Sequence, residues 1–322
     1  MEGSPAVSLV TGATGFVGGA LLRSLERAGV PTRAALRASP APRAQVMTHA
    51  VVGDIDGRTD WSEALDGVDV VFHLAARVHV MQDRSADPLG EFRRVNVEGS
   101  ERLARAAARA GVRRIVFAST VKVLGEETAP DGAFDDASGP EPADPYSVSK
   151  LEAEAALRAA CSGGLELVVL RPPLMYGAGV KGNLPSLMKA VAAGVPLPLA
   201  SIHNRRSMLS VENFADALRT AACSPAAAGE TFLVSDGEDL STPELIRRIG
   251  RALRRPARLW PAPPVLLEGA ARLIGASDRL RRLTGSLRVD ASRFGAVTGW
   301  SPAGSIDEGL DAMACALRLS GR

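Results

Sequence analysis

Residues 7–18 read Val7-Ser-Leu-Val-Thr-Gly-Ala-Thr-Gly-Phe-Val-Gly18. Val7 to Val10 is a short apolar run of strand type. Gly12, Gly15 and Gly18 follow at three-residue spacing, and Gly19 to Glu26 then carries helical periodicity as far as Gly29. A strand that turns through glycines into a helix is a phosphate-binding device. Gly12 permits the tight turn, Gly15 lets the backbone approach a pyrophosphate, and Gly18 lets the helix pack closely on its strand. The unpaired N–H groups and the positive dipole end of the helix then face the anion. This predicts a dinucleotide held against Gly12, Thr14, Gly15, Phe16 and Val17.

Outward from this stretch, strands and helices alternate. Strands are expected at Thr32–Arg37, Val46–Val52, Val68–His73, Arg114–Ala118 and Leu165–Leu170, and helices at Trp61–Leu65, Arg94–Ala110 and Ser147–Cys161. That rhythm predicts a right-handed, doubly wound parallel α/β sheet of Rossmann type. Past Arg171 the rhythm changes. Helices are expected at Leu184–Ala193, Val211–Ala222 and from a Ser241 cap to Leu253, with one more strand at Glu230–Val234. Pro256–Pro264 reads as a linker or edge strand, followed by helices around Val265–Ile274 and Ile306–Leu317. Residues 1–175, with 208–236 returning to them, are expected to form the dinucleotide-binding domain, and 176–207 with 237–322 a smaller substrate-binding cap.

The 322 residues balance Lys+Arg 38 against Asp+Glu 36, a net charge of +2 that argues against nucleic acid as a partner. Cys161, Cys223 and Cys315 are isolated, which predicts a reducing compartment and no metal site. With no signal pattern and no apolar run of membrane-span length, the expected location is the cytoplasm.

An acidic residue commonly closes the second strand of a dinucleotide fold to bind the adenosine ribose. Here the segment is Thr32-Arg-Ala-Ala-Leu-Arg37-Ala-Ser39, with no acid. Arg37, helped by Arg33 and Ser39, can instead hold a 2′-phosphate, so NADP is expected in preference to NAD. Asp54 is the expected adenine-amine acceptor.

Tyr146-Ser-Val-Ser-Lys150 carries the chemistry. Four apart at the start of a helix, Tyr146 and Lys150 share one face. A phenol has a pKa of about 10, too high for a base at neutral pH. A nearby ammonium and a positive nicotinamide would bring it into range. Thr120, at the end of the strand carrying Phe117-Ala-Ser-Thr120, is placed to hydrogen-bond a substrate hydroxyl or carbonyl. Ser119 beside it is the alternative.

With these residues in place, the chain resembles the extended short-chain dehydrogenase/reductase family, the NAD(P)-dependent nucleotide-sugar epimerases and dehydratases. The resemblance runs through Thr11–Gly18, Gly53-Asp54, His73-Leu-Ala-Ala76, Asn96-Val-Glu-Gly99, Tyr146 with Lys150, and Arg171-Pro-Pro-Leu-Met-Tyr-Gly177. Ser119–Glu126, Val180–Asn183 and Asn204–Ser207 are similar to a subgroup that resembles UDP-glucose 4-epimerases and includes 4-keto reductases of UDP-sugars. The resemblance implies that Ile55, Leu74, Ala75 and Ala76 line the cofactor channel, that Asn96 supports it, and that Pro172 to Met175 lie near the nicotinamide. It further implies that Asn183 and Arg206 grip a substrate diphosphate, with a third arginine from Arg279–Arg282, and that Arg77 lines the cofactor channel. Arg77 is also a candidate substrate contact, and His79 either reaches the sugar or packs. A homodimer through the helices starting near Arg94 and Ser147 is implied as well. Leu124 stands where many family epimerases have Tyr, and Val121-Lys122 stands where dehydratases have Asp-Glu, which argues against a 4,6-dehydratase.

The expected function is oxidoreduction at C4 of a UDP-hexose or UDP-N-acetylhexosamine: reduction of a 4-keto sugar with NADPH, or alternatively 4-epimerisation with bound NAD. A small-ketone reductase, a non-catalytic NAD(P)-sensing protein, and an enzyme of polyprenyl-diphosphate sugars docking at a membrane through Val265–Ile274 stay open.

Overall fold

The computed structural model describes residues 7–39, 48–78, 87–273, 275 and 277–320. β1 (Val7–Thr11) runs into α1 (Phe16–Arg27), and β2 (Thr32–Leu36), β3 (Thr48–Val51) and the short α2 (Ser62–Leu65) lead to β4 (Val68–His73). α3 (Pro88–Arg93) passes through a π-type turn at Arg94–Glu98 into α4 (Gly99–Ala110), followed by β5 (Arg114–Ala118), α5 (Pro145–Ala160) and β6 (Glu166–Arg171). β7 (Leu174–Tyr176), α6 (Asn183–Ala192), β8 (Arg206–Ser210), α7 (Val211–Cys223), β9 (Thr231–Leu233) and β10 (Asp239–Leu240) come next. The chain ends with α8 (Thr242–Ala252), α9 (Pro264–Leu273), α10 (Ser277–Thr284), α11 (Ser292–Thr298) and α12 (Ile306–Ser320).

The seven strands of the main sheet lie in the order β3-β2-β1-β4-β5-β6-β9, and every pairing is parallel. This is the doubly wound sheet the rhythm predicts. Successive side chains on a strand point to opposite faces, and both faces are covered by helices. Val10, Phe72 and Val168 therefore pack with Leu21, Leu25, Phe214 and Leu218 on one side. Leu9, Val71 and Val169 pack with Trp61, Leu103 and Leu157 on the other. Burial on both faces is why Val70-Val71-Phe72 and Leu167–Leu170 read as short apolar runs.

A second, three-stranded sheet joins β7 to β8 in parallel and β8 to β10 antiparallel. Tyr176, Leu187, Met188, Ile246, Ile249 and Leu310 form a third core around it.

The helix expected from Arg94 begins at Pro88 instead. The Asp87 side chain accepts from Gly90 N, and Pro88 occupies the first turn, where its missing N–H costs nothing. α10 and α11 were not expected. α10 has only Leu280 and Leu283 as large apolar residues among charged ones, too few for a clear period. In the proline-rich stretch only an isolated bridge forms, Leu197 to Leu259.

Candidate active site

The strand order reverses beside β1, which leaves a crevice beyond the C-terminal ends of β1 and β4, where Thr11 pairs with His73. Gly12 leaves β1 with φ 67°, and a Cβ there would stand 2.8 Å from Ala75 N. On Gly18 a Cβ would collide with the Gly12 carbonyl oxygen. Gly15 is the N-cap of α1; no side chain caps that end and no acid sits in its first turn. The loop thus keeps a positive, backbone-lined cradle open to the crevice, and it fits the pyrophosphate of a dinucleotide. Thr14 and Gly15 are exposed there, with Phe16 and Val17 half-buried.

At the expected adenosine end, Arg37 Nε and Asp54 Oδ1 form an ion pair of 2.7 Å, with both side chains exposed. Ile55 lies next to Asp54, where its side chain abuts Gly99. Arg33 does not join them. Its Nη1 donates to the carbonyls of Glu63, Ala64 and Asp66, at 3.2, 2.9 and 2.8 Å, closing the C-terminal end of α2. The expectation that Arg33 assists Arg37 is therefore corrected: its guanidinium is taken up by main-chain acceptors.

A chain of hydrogen bonds runs from the glycine loop to α5. Thr11 Oγ1 accepts from Leu74 N and Ala75 N, both at 3.1 Å, so its own proton is left for His73 Nδ1 at 2.8 Å. Ser100 donates to Asn96 O at 2.5 Å, so His73 Nε2 must donate to Ser100 Oγ, 2.8 Å away. This assigns the neutral Nε2–H tautomer. Burial first, and the Lys150 charge second, pull the His73 pKa down to about 3. Asn96 then accepts from Arg77 N at 2.8 Å and donates to Arg77 O and Ser149 Oγ, at 3.1 and 2.9 Å. Ser149 in turn donates to Tyr146 O at 2.7 Å. Leu74, Ala75, Ala76 and Arg77 are half-buried along this path, whereas His79 lies outside the described residues.

α5 carries Tyr146 and Lys150 one turn apart. Its start is set by Pro145 and a capping box, in which Asp144 accepts from Ser147 N and Ser147 Oγ accepts from Asp144 N. Lys150 Nζ donates to Ala118 O at 2.7 Å and stands 3.8 Å from the centre of the Phe117 ring. Burial pushes its pKa down to about 7. Tyr146 is shifted the other way, raised by burial and by the Asp144 carboxylate. In this state the phenol holds its proton, so the lysine alone does not bring Tyr146 into working range.

Thr120 caps the 3-10 turn Val121–Val123, with Oγ1 accepting from Lys122 N at 3.3 Å. That turn is laced to the next strand end through Val121 N to Pro172 O, at 3.0 Å, and Pro172 is buried. Met175, on β7, is half-buried. The Ser119 hydroxyl points away from this edge, donating to Glu154 Oε1 at 2.5 Å. Glu154 also takes both Arg171 bonds, at 3.0 and 2.6 Å. Of the two hydroxyls weighed for contact with substrate, Thr120 is therefore the one without a buried carboxylate partner.

Arg206 opens β8, and its Nη1 donates to Gly285 O at 2.9 Å. Burial lowers its pKa, against the opposing charge of Glu127. Glu127 Oε1 also lies 3.7 Å from Arg281 Nε, which places one arginine of the 279–282 run in this cluster. Asn183, exposed, heads α6 after Gly182.

The sequence alone assigns no individual role to Thr11, Ser100, Ser149, Glu154 or Arg171. Glu154 carried a readable signal, since it lies one turn beyond Lys150, on the same face.

Residues 8–235 match the model of the NAD dependent epimerase/dehydratase family. A UDP-glucose 4-epimerase from Vibrio cholerae is 41% identical over 309 residues, covering 95% of this chain and 94% of that protein. A 2-alkyl-3-oxoalkanoate reductase from Stenotrophomonas maltophilia is 31% identical over 256 residues, 77% of this chain and 76% of its own. Among solved structures, MoeE5 in complex with UDP-glucose and NAD is 26% identical, with a TM-score of 0.76 over 98% of this chain and all of that one. On its glycine loop, its sheet order and these matches, the chain belongs to the NAD-dependent epimerase/dehydratase family of short-chain dehydrogenase/reductase enzymes.

Proposed function

We propose that this enzyme is a 4-epimerase of a UDP-hexose or UDP-N-acetylhexosamine that works with a retained NAD. The observation that carries the reading is the setting of Tyr146 and Lys150 on α5 beside the Thr120 strand end, in a chain 41% identical almost end to end to a UDP-glucose 4-epimerase. The chemistry supplied by a bound nicotinamide is the removal and return of a hydride at C4. Gly12, Gly15 and the first turn of α1 hold the pyrophosphate, and Lys150 holds the nicotinamide ribose. Thr120 orients the C4 oxygen. Tyr146 takes the C4 hydroxyl proton as the carbonyl forms, then gives it back to the oxygen after the keto sugar has turned. Arg206 and Asn183 keep the diphosphate fixed while the sugar rotates. Because burial and Asp144 hold the phenol protonated in the protein alone, Tyr146 becomes a base only when a further positive charge lies against it.

A second reading is 4-keto reduction with NADPH, which uses the same residues. It is favoured by Arg37 at the end of a second strand that no acid closes. The exposed Arg37–Asp54 pair supports the first reading, since Asp54 offsets the charge a 2′-phosphate would need.

The test is to denature the purified protein, identify any released nucleotide, and assay UDP-glucose and UDP-galactose interconversion in wild type and Tyr146→Phe. Retained NAD, turnover without added cofactor, and a loss of about 10²–10⁴-fold in Tyr146→Phe are expected. An empty protein that consumes NADPH with 4-keto UDP-sugars would replace this reading with the second.

A further inference from the structure

α9 carries large apolar residues on both sides, with Glu268 and Arg272 among the outward ones. Leu267 and Ala271, four residues apart, face inward; Ala271 is buried and Leu267 packs against the third core. Outward, Val265 is 77% exposed, Leu266 66% and Leu273 89%, and Trp260, just before the helix, is 49% exposed. Leu266 and Leu273 are seven apart, as are Val265 and Arg272, so two adjacent stripes of one face carry them. A soluble helix ordinarily turns a polar face to water, and this one turns Val265, Leu266 and Leu273 outward as well.

The charge around this face is one-sided. Residues 254–282 hold seven arginines against Glu268 and Asp278, in a chain whose net charge is only +2. Arg258, Arg272 and Arg282 are exposed and have no carboxylate partner among the described residues. Elsewhere the surface arginines Arg93, Arg105 and Arg113 pair with acids, while the exposed Arg58, Arg109 and Arg205 are scattered singly over other elements.

We infer that α9 and α10, with Trp260, dock the enzyme on an anionic phospholipid surface. Val265, Leu266 and Leu273 enter the acyl boundary, Trp260 sits at headgroup level, and Arg258, Arg272 and Arg282 meet the lipid phosphates. A second copy of the chain fits less well. A two-fold contact through this face would set the same arginines against one another with almost no acid to offset them. No helix among the described residues is long and apolar enough to cross a membrane, so the contact is with the surface only. α10 leads directly to Gly285, whose carbonyl holds Arg206, so docking brings the proposed diphosphate grip close to the bilayer.

The experiment is flotation of the full chain with vesicles of phosphatidylglycerol in phosphatidylcholine and with vesicles of phosphatidylcholine alone. Wild type is expected to float with the anionic vesicles, less so at high salt, and poorly with the neutral ones. Arg272→Glu should weaken binding roughly fivefold or more. Leu266→Glu/Leu273→Glu should abolish it while leaving turnover of soluble UDP-sugar and the melting temperature unchanged, because both side chains already face solvent. No flotation on anionic vesicles, or equal flotation of wild type and both variants, overturns the inference. So does a wild-type dimer that the double variant dissociates without any lipid binding, since the face would then cover a second copy.

Discussion

Lys122 Nζ and Asp144 Oδ2 lie 2.6 Å apart, and each stands two residues from a proposed catalytic group, Thr120 or Tyr146. The pair ties the end of β5 to the start of α5. Burial alone would raise the Asp144 pKa, but hydrogen bonds from Lys122 and Ser147, with the Lys122 charge, hold it below the ordinary range. Asp144 in turn raises Tyr146. Lys122→Met therefore leaves the carboxylate less compensated beside the phenol. The acid limb of kcat/KM should move to higher pH, with a stability loss of about 1–3 kcal/mol. An unmoved limb would show that the ion pair has no influence on Tyr146.

His73 predicts a pH dependence of stability. Its folded pKa is about 3, against about 6.5 when unfolded. Between these values the unfolded chain binds a proton that the folded protein does not. Stability is thus full above pH 6.5 and falls as the pH drops, by up to about 1.4 kcal/mol per pH unit from this one group. Urea unfolding of wild type and His73→Gln at several pH values checks it. The variant should show a shallower loss on acidification, whatever its absolute stability, and equal slopes would remove His73 as the cause.

The buried trio of Ser119, Glu154 and Arg171 predicts a steep cost for breaking one member. Both ionic side chains are largely withdrawn from water, at 4% and 17% exposure. Glu154→Ala leaves the Arg171 guanidinium without its carboxylate and should cost about 3–5 kcal/mol. Glu154→Ala/Arg171→Met, which removes the orphaned charge, should recover part of that. A double variant as unstable as the single would mean that the loss comes from packing alone. The trio ties the end of β5, where Ser119 adjoins Thr120, to α5, which carries Tyr146, and to the end of β6, so activity should fall in step with stability.

How much of this was legible in the sequence depends on the range over which each signal acts. The glycine turn was readable because Gly12 and Gly18 are required by contacts within one βα unit. β4 and β6 were readable because burial on both faces leaves apolar centres at Val70–Phe72 and Leu167–Leu170. β8 and β10 were not, being short and mixed in polarity, with pairing that comes from distant segments. Arg33 and Arg37 are alike as residues, and only the backbone shows that one meets the end of α2 while the other meets Asp54. The relay through His73 joins residues 62 and 27 positions apart, a separation at which one sequence carries no pairing signal.

Arg206 carries the last prediction. It is partly buried at the start of β8, held by the Gly285 carbonyl, and close to Glu127, far along the chain from the glycine loop. A charge-assisted grip on a diphosphate is worth about 1.5–3 kcal/mol, so Arg206→Ala should weaken UDP and UDP-sugar binding roughly 10- to 100-fold. Retained nucleotide cofactor should be unchanged, because its pyrophosphate cradle lies at α1. Arg206→Lys should fall between the two, keeping the charge but losing the planar fork. Calorimetric titration with UDP, beside cofactor quantitation of the same preparations, separates the effects. Unchanged UDP affinity in Arg206→Ala would move the diphosphate site elsewhere. Loss of both ligands together would mean that the substitution disturbs the fold rather than the grip.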